Sequence, residues 1–85
     1  MAKYKIRVKK SAEKELGKLP KKELIKILNN IEDLSDNPHP VGSIKLTSEE
    51  KYRIRVGNYR VLYKVEDDIL TVFVVKVGHR KQIYR

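Results

Sequence analysis

The alternation of apolar and polar residues divides the chain into one strand, two helices and a second half rich in strand. Over residues 4–8, Tyr, Ile and Val alternate with basic residues, which predicts a half-buried strand. Apolar residues then recur at helical spacing in two stretches separated by Pro20, because proline breaks a helix but is accepted in the first turn of the next. The first stretch holds Ala12, Leu16 and Leu19, and the second holds Leu24, Ile27, Leu28, Ile31 and Leu34. We expect Ser11 to cap the first helix and the second helix to end near Ser35, where the turn-forming sequence SDNPHPVGS begins.

The rest of the chain has the alternation that is typical of strands. Gly57-Asn58 separates two alternating runs and suits a two-residue hairpin loop with glycine first. Asp67-Asp68 separates the second and third runs in the same way. The last run, residues 69–77, is apolar on both faces, which is typical of a strand covered on both sides. Gly78 is expected to end this strand with a sharp turn, so that residues 79–84 run along the edge of the sheet.

The Gly57-Asn58 loop decides which side chains face each other across the hairpin. It pairs Arg55 with Arg60 and Arg53 with Leu62. The face toward the helices then contains Tyr52, Ile54, Val56, Tyr59, Val61, Tyr63 and Val65, and the three arginines share the opposite face. Two arginines directly across a hairpin repel each other by about 0.2–1 kcal/mol. A bound anion would remove that cost, so the pair indicates binding and not stability.

An apolar patch is predicted on the same face as the arginines. With an Asp67-Asp68 loop, Phe73 and Val75 emerge beside Leu62. Because this patch is more than an 85-residue monomer needs, we expect a protein partner to cover these three residues. Together the elements predict an α+β fold, in which an N-terminal strand and a two-helix hairpin pack on a twisted, mostly antiparallel sheet.

Length and composition exclude several classes of protein. Eighty-five residues form one domain, and the absence of Cys excludes disulfides, thiolate metal sites and a cysteine nucleophile. The apolar stretches are too short to span a membrane, and the N-terminus lacks the apolar block of a signal peptide. We therefore expect a cytoplasmic protein that has no membrane partner.

The net charge of +9 is concentrated in two short segments. Residues 51–64 and 76–85 hold nine basic residues and no acid, while the charges of the remaining chain balance. Most of this excess is arginine, whose planar guanidinium suits bidentate phosphate contact. The distribution predicts a face that binds a polyanion. Besides the arginines of the hairpin, the basic residues expected to bind RNA are Lys51, Lys64, Lys76, Lys81 and Arg85.

Few groups are available for catalysis. The chain has no glycine-rich phosphate loop, and its two histidines, His39 and His79, lie too far apart in sequence to suggest a metal site. We expect His39 to be an ordinary surface residue, and we expect no cofactor and no metal. The acids cluster away from the basic segments, so paired-carboxylate catalysis is not expected.

The remaining groups, which are arginines with His79 and Tyr84, fit RNA cleavage by the substrate's own 2′-OH. That reaction needs in-line geometry, stabilisation of the charged transition state and two proton transfers, but no protein nucleophile. Arginine stays protonated and therefore serves as a clamp. Tyr84 would act as a base or position the 2′-OH, unless its ring only rests on the sheet. His79 is a catalytic candidate or a simple surface residue.

Two blocks, YRIRVGNYRVLY and VGHRKQIY, are specific, and the KSAEKELGKLP and NPHPVG segments agree with them. Over essentially its whole length the chain resembles the RelE/ParE superfamily of type II toxins. The resemblance implies a single RelE-like toxin domain over residues 1–85, which a cognate antitoxin neutralises by wrapping around it. In the RelE branch it implies a ribosome-dependent endoribonuclease that cuts mRNA in the decoding A site.

The resemblance also implies roles for single residues. Arg60 and Arg80 would bind and stabilise the scissile phosphate. Arg53 and Arg55, where RelE itself has lysines, would stabilise charge or take up the 2′ proton. Tyr84 would orient or activate the nucleophile. With arginine in place of lysine, the identities of the general base and acid stay open.

Other interpretations stay open beside this one. His79 is similar to a histidine that joins catalysis in other ribosome-dependent toxins of the superfamily. A ParE-like protein would poison DNA gyrase and cut no RNA, but such toxins generally lack the full set of arginines and tyrosine. A nonenzymatic nucleic-acid-binding module would stack bases on exposed aromatic rings, whereas Tyr52, Tyr59 and Tyr63 are predicted on the inner face. An inactive scaffold that keeps the pattern is a further possibility.

Overall fold

The computed structural model describes residues 3–46 and 51–79, which form two helices and a five-stranded sheet. In chain order the elements are β1 (Lys5–Val8), α1 (Lys10–Gly17), α2 (Lys21–Asp33), β2 (Ile44–Lys45), β3 (Lys51–Val56), β4 (Tyr59–Glu66), a 3-10 turn (Asp67–Ile69) and β5 (Thr71–His79). The strand order is β1-β5-β4-β3-β2, in which only the β1–β5 pair is parallel. The predicted α+β fold, with helices on a mostly antiparallel sheet, is confirmed.

The two helices bury one apolar stripe against the sheet. Its buried members are Ala12, Leu16, Ile27, Ile31 and Leu34, and Leu19 and Leu24 pack against them. Leu28 was expected in this stripe but is exposed, because it lies one residue, or about 100° of helix, beyond the buried Ile27.

The helix starts also differ in part from the prediction. Lys9, not Ser11, takes the capping position of α1, and no side chain caps it. Ser11 already lies inside the helix. Pro20 lies just before the first helical residue of α2, where its missing N–H leaves no donor unsatisfied.

The β3–β4 hairpin has the predicted register. Gly57 has φ +60°, in the left-handed region that favours glycine, and Val56 pairs with Tyr59 across the loop. Arg55 therefore lies opposite Arg60. On the face toward the helices, Ile54, Val56, Val61, Tyr63 and Val65 are buried, and Tyr52 and Tyr59 pack against this core.

The β4–β5 connection is longer than predicted. Glu66 pairs with Thr71, so the loop contains four residues, Asp67 to Leu70, and Leu70 has φ +46°. The two-residue Asp67-Asp68 loop was therefore wrong. Because the shift is an even number of residues, Phe73 keeps its predicted face, and a β-bulge then leaves Val75 without a direct partner in β4.

The prediction that Gly78 ends the last strand is wrong. It pairs with Arg60 inside β5, and the strand runs on to His79. The remainder of the predicted edge path, residues 80–84, lies outside the described residues.

The loop after α2 is fastened to the sheet by a buried tyrosine. The Tyr63 hydroxyl donates a 2.7 Å hydrogen bond to the carbonyl oxygen of Pro38. Next to it, Tyr52 stacks on Tyr63, and the ring of His39 meets Tyr52 edge-on at 4.6 Å. His39 is exposed, as expected for a surface residue. Within residues 3–46 and 51–79, no helix has the length and apolar character needed to cross a membrane.

Candidate functional site

Three arginines lie together on the face of the sheet opposite the helices. Arg55 of β3 faces Arg60 of β4 directly, and Arg53 follows two residues away on the same face of β3. The three side chains differ in exposure. Arg55 is exposed, Arg53 is half-buried and Arg60 is only 5% exposed. The predicted grouping of these residues is therefore present in the structure.

Arg60 lies in the interior of the sheet. β4 is flanked by β3 and β5, and Arg60 pairs with Arg55 on one side and with Gly78 on the other. The guanidinium lies close to its own backbone, with Nη1 3.4 Å from the carbonyl oxygen of Tyr59. A nearly fully buried arginine is uncommon. Its position fixes a positive charge inside the sheet before any ligand arrives.

The arginines open into a cleft of about 370 Å³. The cleft continues round the edge of β3 to the helix side of the sheet, beyond the point where the two-residue β2 stops pairing with β3, because Asn30 and Asp33 in the C-terminal half of α2 and the loop that follows also line it. Pro40, Val41, Ile44 and Ile54 add apolar groups to its lining. The volume is at the small end of the range for ligand sites in proteins.

Sequence reasoning missed the two polar residues of α2. The signal that could have found them is Asp33 itself, the last residue of a helix whose final turn has no basic residue. A carboxylate at the negative end of a helix dipole is unfavourable for the helix. Its position therefore indicates a purpose other than helix stability.

His79 is not brought together with the arginines. It pairs with Tyr59 across β4 and β5, and their rings meet edge-on at 5.7 Å on the face toward the helices. A groove of about 500 Å³ beside it is formed with Glu15, Lys18 and Leu19 of α1. Within that groove wall, the Glu15 carboxylate accepts a 2.9 Å hydrogen bond from the N–H of Val77. The catalytic role of His79 stays a prediction.

The lysines predicted to bind RNA are spread along the sheet. Lys51 faces Lys64 at the end of the hairpin away from its turn, and Lys64 pairs with Glu66 at 3.4 Å. Lys76 is exposed opposite Leu62. The other predicted site residues, Arg80, Lys81, Tyr84 and Arg85, lie outside the described residues.

The predicted apolar patch forms a shallow groove of about 410 Å³. Phe73 and Val75 are half-buried and line it, and Arg7, Lys9, Lys64 and Glu66 surround them. Leu62 is half-buried in β4, next to Lys64 on the same face. The patch and the arginines therefore share one side of the sheet.

Within the part of the chain that the structure describes, no three His, Cys, Asp or Glu residues come together in a way that could hold a metal ion.

This fold, a helical pair packed on a five-stranded sheet, is shared with a class of small toxins of known structure. Residues 6–84 match the family described as ParE toxin of type II toxin-antitoxin system, parDE. The chain belongs to this family, within the RelE/ParE superfamily, as the resemblance predicted.

Relatives of known name agree with this assignment. Toxin RelG of Mycobacterium tuberculosis is 34% identical over 84 residues, which cover 96% of this chain and 97% of the relative. The putative toxin RelE1 of Methanocaldococcus jannaschii is 32% identical over 87 residues, which cover 98% and 97%. The protein is thus a type II toxin of the RelE family.

A solved structure supports the fold independently. The toxin-antitoxin complex RelBE2 from Mycobacterium tuberculosis contains a chain that superposes with a TM-score of 0.82 at 32% identity, covering 94% of both chains.

Proposed function

We propose that this toxin is a ribosome-dependent endoribonuclease that cleaves mRNA in the A site and thereby inhibits translation. The observation that carries the proposal is the convergence of Arg53, Arg55 and the buried Arg60 on one cleft. Guanidinium groups fixed before the substrate binds are suited to a phosphate whose negative charge increases in the transition state.

The reaction requires no metal and no cofactor. The 2′-OH attacks the adjacent phosphorus, the bond to the 5′-oxygen breaks, and the products are a 2′,3′-cyclic phosphate and a 5′-OH. One proton leaves the 2′-OH and one reaches the leaving oxygen. Arg60 and Arg80 would stabilise the phosphate, while Arg53 and Arg55 would stabilise charge at the attacking oxygen.

Proton transfer is assigned to the end of the chain. Tyr84 would orient or activate the 2′-OH, and His79 is a second candidate for one of the two transfers. Because the His79 ring packs on Tyr59 on the other face, its use in catalysis would require it to leave that ring. Basic residues along the sheet, including Lys51 and Lys64, would attract RNA without reading its sequence.

A cognate antitoxin is the proposed protein partner. The groove of Phe73 and Val75, with Leu62 beside it, offers apolar surface on the same side as the arginines, so one bound segment could cover both. The solved relative from Mycobacterium tuberculosis is itself a toxin-antitoxin complex, which supports this partner class. Phe73→Asp should therefore abolish the antitoxin complex in a pull-down but keep the cleavage activity.

The test is cleavage of mRNA by purified protein, with and without programmed 70S ribosomes. Wild type should cut only with ribosomes and leave a cyclic or 3′-phosphate end. Arg60→Lys keeps the charge but loses the planar guanidinium, and it should cut about 10²–10³-fold more slowly. Lys22→Gln, an exposed change on α2, is the control and should cut at the wild-type rate. Intact mRNA under every condition would overturn the proposal.

The second candidate is a toxin that poisons DNA gyrase. The observation that favours it is the matching family, which carries the ParE description. If mRNA stays intact, inhibition of gyrase supercoiling by the same preparation would support this alternative. The arginine cluster then would have to act on DNA or on the gyrase protein.

A further inference from the structure

Two groups of residues with opposite chemistry line the cleft beside the arginines. Arg53, Arg55 and Arg60 lie on the open face of the sheet, and Asn30 and Asp33 lie on its helix side. The amide nitrogen of Asn30 donates to the carbonyl oxygen of Lys26 at 2.9 Å, so its oxygen is the group available to a ligand. With the Asp33 carboxylate, the helix side of the cleft therefore offers hydrogen-bond acceptors.

A nucleotide has the matching polarity. Its phosphate carries negative charge, and the far edge of its base carries hydrogen-bond donors when it has an exocyclic amino group. The apolar groups of Pro40 and Val41, which line the same cleft, suit the faces of a base or the carbons of a sugar. Val41 is fully exposed at this position, which leaves it accessible to a ligand.

We propose that this cleft is a nucleobase subsite that favours amino-bearing bases of mRNA over uracil through Asp33 and Asn30. The only Watson–Crick donor of uracil lies between two carbonyl oxygens, which the Asp33 carboxylate repels. Cytosine has the same ring with an amino group at position 4, so it donates where uracil accepts. The inference rests on the proposed ribonuclease function and adds a base preference to it.

The position of Asp33 supports a role toward a ligand. It ends α2 at the negative end of the helix dipole, and no basic residue in the last turn compensates it. Replacing it by asparagine should leave the melting temperature unchanged or slightly raised. A loss of discrimination in that variant would then not result from unfolding.

The experiment compares cleavage of matched mRNAs on programmed ribosomes, with cytosine or uracil at each position of the A-site codon in turn. At one position, wild type should cut the cytosine message at least about 5-fold faster. Asp33→Asn, whose amide both donates and accepts, should bring this ratio close to one. Asp36→Asn removes an exposed carboxylate that pairs with Lys3 away from the cleft, and it should keep the wild-type ratio.

The outcomes separate the subsite from the function on which it rests. Cleavage with the same cytosine-to-uracil ratio in wild type and Asp33→Asn would overturn the subsite and keep the ribonuclease. Equal acceleration of both messages by Asp33→Asn would also overturn it, because Asp33 would then act only as a counter-charge to the arginines. If no message is cut, the protein is titrated with CMP and with UMP, and the NMR shifts of the backbone amides of residues 30–33 are measured. These shifts test the subsite without cleavage. Equal shifts with both nucleotides would refute the subsite.

Discussion

Arg55 and Arg60 face each other directly across the β3–β4 hairpin, beside a turn that contains Gly57. At the other end of the same strand pair, Lys51 faces Lys64. Pairs of like charge destabilise a sheet. This hairpin has one such pair at each end, so its charge pattern favours binding of a polyanion over the stability of the hairpin.

The Arg55–Arg60 pair predicts opposite effects on stability and activity. Arg55→Gln should raise the free energy of unfolding by about 0.2–1 kcal/mol because it removes the repulsion, while it slows RNA cleavage. Urea unfolding with and without inorganic phosphate measures this, and phosphate should stabilise wild type more than the variant. Lys22→Gln, which has no cross-strand partner, is the control. A variant less stable than wild type would contradict the interpretation of the pair.

The buried hydroxyl of Tyr63 should make the protein less stable at alkaline pH. Burial raises the pKa of its hydroxyl to about 12, whereas in the unfolded chain the hydroxyl ionises near 10. Between about pH 10 and pH 12 the unfolded chain binds fewer protons than the folded protein, so the free energy of unfolding should fall as the pH rises through this range. Unfolding by urea at a series of pH values measures the slope.

The comparison variant is Tyr63→Phe. It should unfold about 1–3 kcal/mol more easily at neutral pH, because the buried carbonyl of Pro38 loses its donor. It should also show a shallower alkaline decline than wild type. Tyr52→Phe, which changes the stacked and only half-buried neighbour, should keep most of the slope, because Tyr52 raises the pKa of Tyr63 less than burial does. Equal slopes in all three proteins would refute this assignment.

Glu15 is predicted to hold the end of β5. β1 ends at Val8, so within residues 3–46 and 51–79 no strand pairs with that edge of β5 beyond Val74, and the Glu15 carboxylate accepts the N–H of Val77 instead. Glu15→Ala should cost about 1 kcal/mol and speed hydrogen exchange of the Val77 amide. Glu15→Gln keeps an acceptor and should restore most of the protection. Lys14→Ala, an exposed change on the same helix, should leave that amide unchanged.

Leu70 is predicted to be a site of removable strain. Its φ of +46° lies in the left-handed region, which is costly for a side chain with a Cβ atom. Leu70→Gly should therefore stabilise the protein by up to about 1 kcal/mol in thermal unfolding. Leu70→Ala keeps the Cβ atom and should give no gain, so an equal gain from both variants would exclude backbone strain as the cause.

Local chemistry made part of the fold predictable. Gly57-Asn58 is a strong hairpin signal, and once it is placed, the period of two along a strand assigns every side chain of β3 and β4 to a face. The β4–β5 loop was harder, because Asp67-Asp68 has no glycine and the chain instead uses a left-handed leucine, which propensity disfavours. The bulge at Val75 has no local sequence signal at all.

The candidate site was predictable to the same extent. Arg53, Arg55 and Arg60 follow from the hairpin register, but Arg60 also pairs with Gly78, which is distant in sequence and was expected to form a turn. Asp33 was missed because its closeness to the arginines depends on how α2 packs on the sheet. The periodicity of the sequence does not predict contacts between segments that are distant along the chain.

The parallel pairing of β1 with β5 also sets an order of events during synthesis. Lys5 is made among the first residues of the chain, but its partner Thr71 is made near the end. At 5–20 residues per second, the first strand waits about 3–13 s for the strand that completes its pairing. Arg60 likewise gains its partner in β5 only when Gly78 has been added. The sheet that carries the guanidinium cleft is therefore complete only when translation of the chain is nearly finished.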